Sequence, residues 1–141
     1  MRLGNWARPA VAGVFFCASA TVVASPAAAP AVAVFGQIEP GQWQLREADS
    51  TALPRLICIS DPDSLVQFQH PGMQCSRVVL QDQPRAATVN YTCPGVGNGR
   101  TTIRIETPKS FHLDTQGIAS GAPFEMAFEA RRMGPCSSAG R

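Results

Sequence analysis

The chain has little of what most active sites are made from. It has only two histidines, His70 and His112, among 141 residues. It has no Cys-X-X-Cys pair, no phosphate-loop motif and no internal repeat. Zinc sites want closely spaced Cys or Cys/His sets, and a nucleophilic site wants a base that orients the nucleophile. His70 sits in a His-Pro-Gly turn and His112 falls on the polar side of a predicted strand, so both read as surface histidines. Asp61 and Asp63 flank Pro62, but calcium takes six or more oxygens, and helix capping accounts for them better. Gly95-Val96-Gly97-Asn98-Gly99 lacks the Lys-Ser/Thr of a phosphate loop and has no helix behind it to supply a dipole; it reads as a turn. Asn90-Tyr91-Thr92 fits a glycosylation acceptor but lies within a predicted strand, so it is expected to stay unmodified. No catalytic, cofactor-binding or metal-ligating residue is therefore assigned.

A membrane-spanning run of about 20 apolar residues is also missing. The apolar stretch from Ala10 to Ala24 is shorter, follows Arg2 and Arg8, and ends at Ser25-Pro26. That is the layout of a secretory signal peptide, with Val22-Val23-Ala24 as the best cleavage context and Ala18-Ser19-Ala20 and Ala31-Val32-Ala33 as fallbacks. Phe16 before Cys17 is too bulky for a lipoprotein signal. Of twelve Lys and Arg, Arg2 and Arg8 leave with the leader, so ten basic side chains face ten acidic ones. A neutral chain without clustered cations gives no reason to expect nucleic acid or an anionic membrane as partner.

Cys17 leaves too, and Cys58, Cys75, Cys93 and Cys136 remain. Four scattered cysteines in a short exported chain read as two disulfides. Of the three connectivities, Cys58 to Cys75 and Cys93 to Cys136 is favoured: a short loop, and a tie from a mid-chain strand to the chain's end.

The Ala/Pro-rich segment 25–39 has no periodic apolar face and reads as a flexible tether. Alternation of period two then marks strands around Gln42 to Arg46, Ala86 to Cys93, Thr101 to Glu106, Phe111 to Asp114 and Phe124 to Arg131; a second strand is expected at Arg55 to Ser60, and a third segment, Arg77 to Gln81, holds three consecutive apolar residues. Between the second and third, Ser60 or Asp61 caps a short helix with Pro62 in its first turn, stopped by His70-Pro71-Gly72. Residues 94–99 and 116–123 read as loops. The fold expected is mainly β: an antiparallel up-and-down sheet or small open barrel with one short helix, stapled by two disulfides. The organisation is a signal peptide at 1–24, the tether at 25–39, a single β-domain at 40–136 and a disordered tail at 137–141. Trp43, Phe68, Phe111, Phe124 and Phe128 are the expected aromatic core. One of Arg131 and Arg132 should face inward, and a buried arginine needs a carboxylate; Glu106, Asp114 and Glu125 are the candidate partners in a buried ion pair.

Four ordered landmarks carry a family resemblance: Pro40-Gly41-Gln42-Trp43, Cys58-Ile59-Ser60, Tyr91-Thr92-Cys93 and Arg131-Arg132-Met133-Gly134-Pro135-Cys136. With them the chain resembles the domain-of-unknown-function 3617 (DUF3617-like) family of small exported bacterial proteins, from about Pro40 to Cys136. The proline-glycine loop after Cys93 and the segment from Thr101 to Phe124 resemble a sub-branch of that family, with a shorter middle and fewer methionine-rich hairpins. The resemblance implies a β-rich fold and an envelope or periplasmic location in Gram-negative bacteria, and it implies no activity.

The functional expectation is a periplasmic or secreted, non-enzymatic binding or interaction module, released by cleavage near Ala24, with no cofactor and no stable membrane span after cleavage. Its partner is an unidentified small ligand or another envelope protein, and no oligomeric state is assigned. Two alternatives are a small hydrolase using paired Asp or Glu, which needs two carboxylates meeting in a pocket, and a structural or stress-related envelope protein.

Overall fold

The structure is a computed structural model that describes residues 31–137. The expected signal peptide with its preferred cleavage site, Cys17, the first part of the tether and residues 138–141 lie outside the described residues.

Among the described residues seven strands form one antiparallel sheet: β1 (Gly41–Glu47), β2 (Arg55–Ile59), β3 (Ser76–Gln83), β4 (Ala86–Cys93), β5 (Gly97–Thr107), β6 (Ser110–Ala119) and β7 (Ala122–Gly134). The spatial order is β2-β1-β7-β6-β5-β4-β3. Strands β3 to β7 pair consecutively, as short turns dictate, whereas β1 pairs with β7. The sheet is open, because β2 and β3, neighbours in sequence, occupy its two edges. The segment between them crosses the inner face and carries a 3-10 turn, Pro62–Gln67. Asp61 caps it, its Oδ1 accepting from the Asp63 N–H at 3.1 Å, and Pro62 opens the turn, where a missing N–H costs nothing.

Alternation puts Trp43, Leu45, Val89, Tyr91, Ile103, Ile105, Phe111, Leu113, Phe128 and Ala130 on the inner face, all buried. Leu65 and Val66 of the 3-10 turn pack onto them, and the Thr101 hydroxyl donates to the Val66 carbonyl at 2.6 Å. A layer against a curved sheet must bury its own apolar side chains. The same requirement corrects the tether. Residues 31–39 belong to the folded unit: Val32, Val34, Phe35 and Ile38 are buried, and Phe35–Gln37 form a second 3-10 turn. Four apolar side chains without simple periodicity suffice to anchor a turn to a core.

Both expected loops are shorter than the glycines suggested. β5 begins at Gly97, β6 continues to Ala119, and β7 starts at Ala122. Between them Ser120 and Gly121 both take positive φ (51° and 79°), the two-residue hairpin turn whose twist matches its flanking strands.

The disulfide connectivity is also corrected: Cys58 joins Cys136 and Cys75 joins Cys93. Register explains both. Ser76 pairs with Thr92, which sets Cys75 beside Cys93. Cys58 pairs with Gln42, itself opposite Gly134, which brings Cys136 within reach. The favoured Cys58–Cys75 bridge would have to join the two opposite edges of the sheet.

Candidate functional site

On the outer face of β4 to β7, cross-strand pairing aligns Asn90, Arg100, Gln116 and Glu125 in one row. The next row is Thr92, Asn98, Ile118 and Pro123. Between the rows runs an inward-facing one, Tyr91, Gly99, Gly117 and Phe124, whose two glycines leave bare backbone at the centre. These residues line an open hollow of about 720 Å³. Arg100 donates through Nε to the Asn90 amide oxygen at 3.0 Å, which orients its guanidinium along the row. A second hollow of about 190 Å³ adjoins it and shares Arg100, Gln116 and Glu125. There Asp114 accepts from Arg104 at 3.0 Å. The surface therefore combines amides, one arginine and one carboxylate around a central strip of glycine backbone, buried at Gly99 and half-buried at Gly117, with Ile118 and Pro123 at one end. It is suited to hydrogen-bonding a polar ligand.

The floor is held from the inner side. Tyr91 lies over Gly99 so closely that a Cβ there would come within 2.5 Å of its hydroxyl oxygen. Burial raises the Tyr91 phenol above its ordinary value of 10.0, with a hydrogen bond to Thr115 acting in the opposite sense. His70 stands edge-on to Tyr91, its Nδ1 at 3.1 Å from the phenol oxygen. Expected at the surface, His70 is only 3 % exposed. The reason is steric. Gly97 leaves room for the ring, since a Cβ there would come within 2.6 Å of His70 Nε2. That Nε2 is buried without a hydrogen-bond partner.

His112 does sit on the outer face, where its Nε2 meets Glu106 Oε1 at 2.7 Å. The hydrogen bond from His112, then its charge, and to a lesser extent the Arg131 charge, hold the Glu106 carboxyl below its ordinary value. Of the arginines, Arg131 is exposed and Arg132 is half-buried. Arg132 donates through Nε and Nη2 to the Pro40 carbonyl at 3.0 and 2.9 Å and lies 3.7 Å from Glu39 Oε2. None of the three candidate acids is its partner: Glu106 serves His112, Asp114 serves Arg104, and Glu125 stands at the hollow. The sequence signal for Glu39 was its place beside Pro40-Gly41-Gln42-Trp43, in the segment taken for tether.

A third hollow, about 420 Å³ and more apolar, lies between Val32, Phe35 and the cap residues Asp61, Pro62 and Asp63. Among the described residues no group of three or more His, Cys, Asp or Glu gathers as metal ligands would. No helix among them is long and apolar enough to cross a membrane.

Neither curated proteins nor solved structures yield a match to this chain. The model of the family described as protein of unknown function (DUF3617) matches residues 38–136, from Ile38 in the core to Cys136 in its disulfide, which is most of the chain. With the seven-stranded disulfide-tied sheet and its landmarks in place, the chain belongs to the DUF3617 family.

Proposed function

We propose that this protein is a non-enzymatic binding module of the bacterial cell envelope, which takes a small polar ligand on the outer face of β4 to β7. Two disulfides are compatible with an oxidising compartment outside the cytoplasm. The observation that carries the reading is the glycine-floored hollow under Asn90, Arg100, Gln116 and Glu125. Its volume, about 720 Å³, falls in the range of sites that hold small molecules, roughly 300 to 1,000 Å³. Arg100 makes no ion pair among the described residues, so its remaining guanidinium N–H groups are available to an acceptor.

The alternative of a hydrolase needs paired carboxylates in a shared pocket with their acidities pushed apart. Two hollows hold two carboxylates each, Asp61 with Asp63 and Asp114 with Glu125, and in each pair one is otherwise engaged: Asp61 caps its turn and Asp114 pairs with Arg104. Binding is tested by titrating the oxidised, isotope-labelled protein with amino acids, short peptides and oligosaccharides while recording amide spectra. Saturable shifts at Gly99, Arg100, Gly117 and Glu125, abolished by Arg100→Ala, are expected. Turnover of any of these probes, or saturable shifts confined to other strands, defeats the proposal.

A further inference from the structure

We infer that β3 forms a two-fold, antiparallel pair with β3 of a second copy of this chain. Among the described residues β3 bonds only to β4, so the backbone groups along its other side have no strand partner there. Natural sheets blunt such edges with short strands, prolines, bulges and charged side chains, lysine above all; the eight residues Ser76–Gln83 include no proline or lysine and only two charges, Arg77 and Asp82, of opposite sign. They expose Val78 (61 %) and Leu80 (50 %) instead. The strand is also clamped, by the Cys75–Cys93 bridge at one end and the turn at Pro84-Arg85 at the other. Pairing a preordered edge orders little further chain, which lowers the cost of association.

The partner is identified by charge. β3 carries a bulge at Leu80, between Val79 and Gln81. Bulges can protect an edge by twisting it away, but this one also reverses the alternation of side chains. Arg77 lies opposite Tyr91 and Asp82 opposite Ala87, so both face the core side although they are five residues apart. A two-fold axis between Val79 and Leu80 overlaps the two strands over their full length. In that register residue 77 of each copy faces residue 82 of the other, and 78 faces 81. Arg77 and Asp82 therefore match twice, once on each side of the axis. In an unbulged strand they would point to opposite faces and could not match. Neither makes an ion pair within the described residues; Arg77 only donates to the Gln67 amide oxygen at 3.2 Å. A two-fold interface is self-complementary by definition, and this strand meets that condition. β2, the other edge, has five residues and is fastened near its end by Cys58–Cys136.

One edge-to-edge pair buries less than the roughly 1,200 to 2,000 Å² of stable complexes, so the dimer is weak and concentration-dependent. Sedimentation velocity of the oxidised protein, from micromolar to millimolar, tests it. The unaltered chain is expected to move from monomer to dimer. Asp82→Arg and Arg77→Asp, each setting like charges opposite one another twice, should each weaken association about tenfold or more. Mixing these two variants should restore it, because two arginines then face two aspartates. Val78→Lys, at an exposed position, should weaken it as well, and circular dichroism verifies each fold. If Arg77→Asp fails to fold, Asp82→Arg and Val78→Lys decide. A chain that stays monomeric to millimolar concentration overturns the inference, as does a dimer indifferent to both substitutions. Growth past the dimer into filaments overturns it too, since that signals β2 meeting β3 head to tail.

Discussion

The two disulfides differ in what they should contribute, and the difference comes from topology. Cys58–Cys136 spans 78 residues and Cys75–Cys93 spans 18. Cross-linking limits the unfolded chain in proportion to the logarithm of the loop it closes, which gives about 4.5 kcal/mol for the long loop and about 3.2 kcal/mol for the short one. Both are large against the total stability of roughly 5 to 15 kcal/mol of a small domain. Removal of the first bridge by Cys58→Ala/Cys136→Ala should therefore cost about 1 kcal/mol more than removal of the second. Cys93 is buried, so the second variant is best made as Cys75→Ala/Cys93→Val, which avoids adding a cavity. Urea unfolding of both oxidised variants measures the cost through the midpoint. It should also show the larger rise in denaturant slope for the long-loop variant, because a freed loop exposes more surface when unfolded. Peptide mapping without reduction gives an independent readout, a fragment holding Cys58 joined to one holding Cys136. The reasoning is refuted if the short-loop variant loses more stability, or if Cys58 is recovered bonded to Cys75.

Two further outcomes follow from the floor of the hollow. Gly99→Ala should destabilise by about 1 to 3 kcal/mol, the usual effect of overpacking, because its Cβ would press on a Tyr91 ring that is 1 % exposed; a urea midpoint equal to that of the unaltered protein counts against that packing. The raised Tyr91 phenol contributes stability that is fully present below the ordinary value of 10.0 and is lost as pH climbs through the folded value above it. Thermal unfolding should accordingly show stability falling above pH 10.0 and a smaller fall in Tyr91→Phe; identical alkaline profiles for the two proteins would rule out Tyr91 as the cause.

Strand positions, the capped turn at Asp61-Pro62 and the presence of two bridges were legible because each rests on local chemistry: alternation, a proline without an N–H, an even cysteine count. His70 was misplaced because a Pro-Gly neighbourhood signals a turn but carries no information about what the turn packs against. Gly97, Gly99 and Gly117 read as loop for the same reason. In isolation a glycine disfavours a strand, and here His70 fills the space at Gly97, Tyr91 that at Gly99, and the backbone of Asn98 and Gly99 closes in on Gly117. The row of Asn90, Arg100, Gln116 and Glu125 was invisible as a site, since its four members come from four strands and meet only through register.

What the amino-acid order determined by itself is thus the β class, the strand faces and the cysteine inventory, because period-two burial and short turns act over a few residues. The tertiary structure alone decided the strand order, the cysteine partners, the recruitment of residues 31–39 and the partners of the arginines. Those depend on β1 pairing with β7 and on the chain crossing from β2 to β3 over the core. Such contacts join residues far apart in sequence, and their energies come from burial and register that no short window of residues contains.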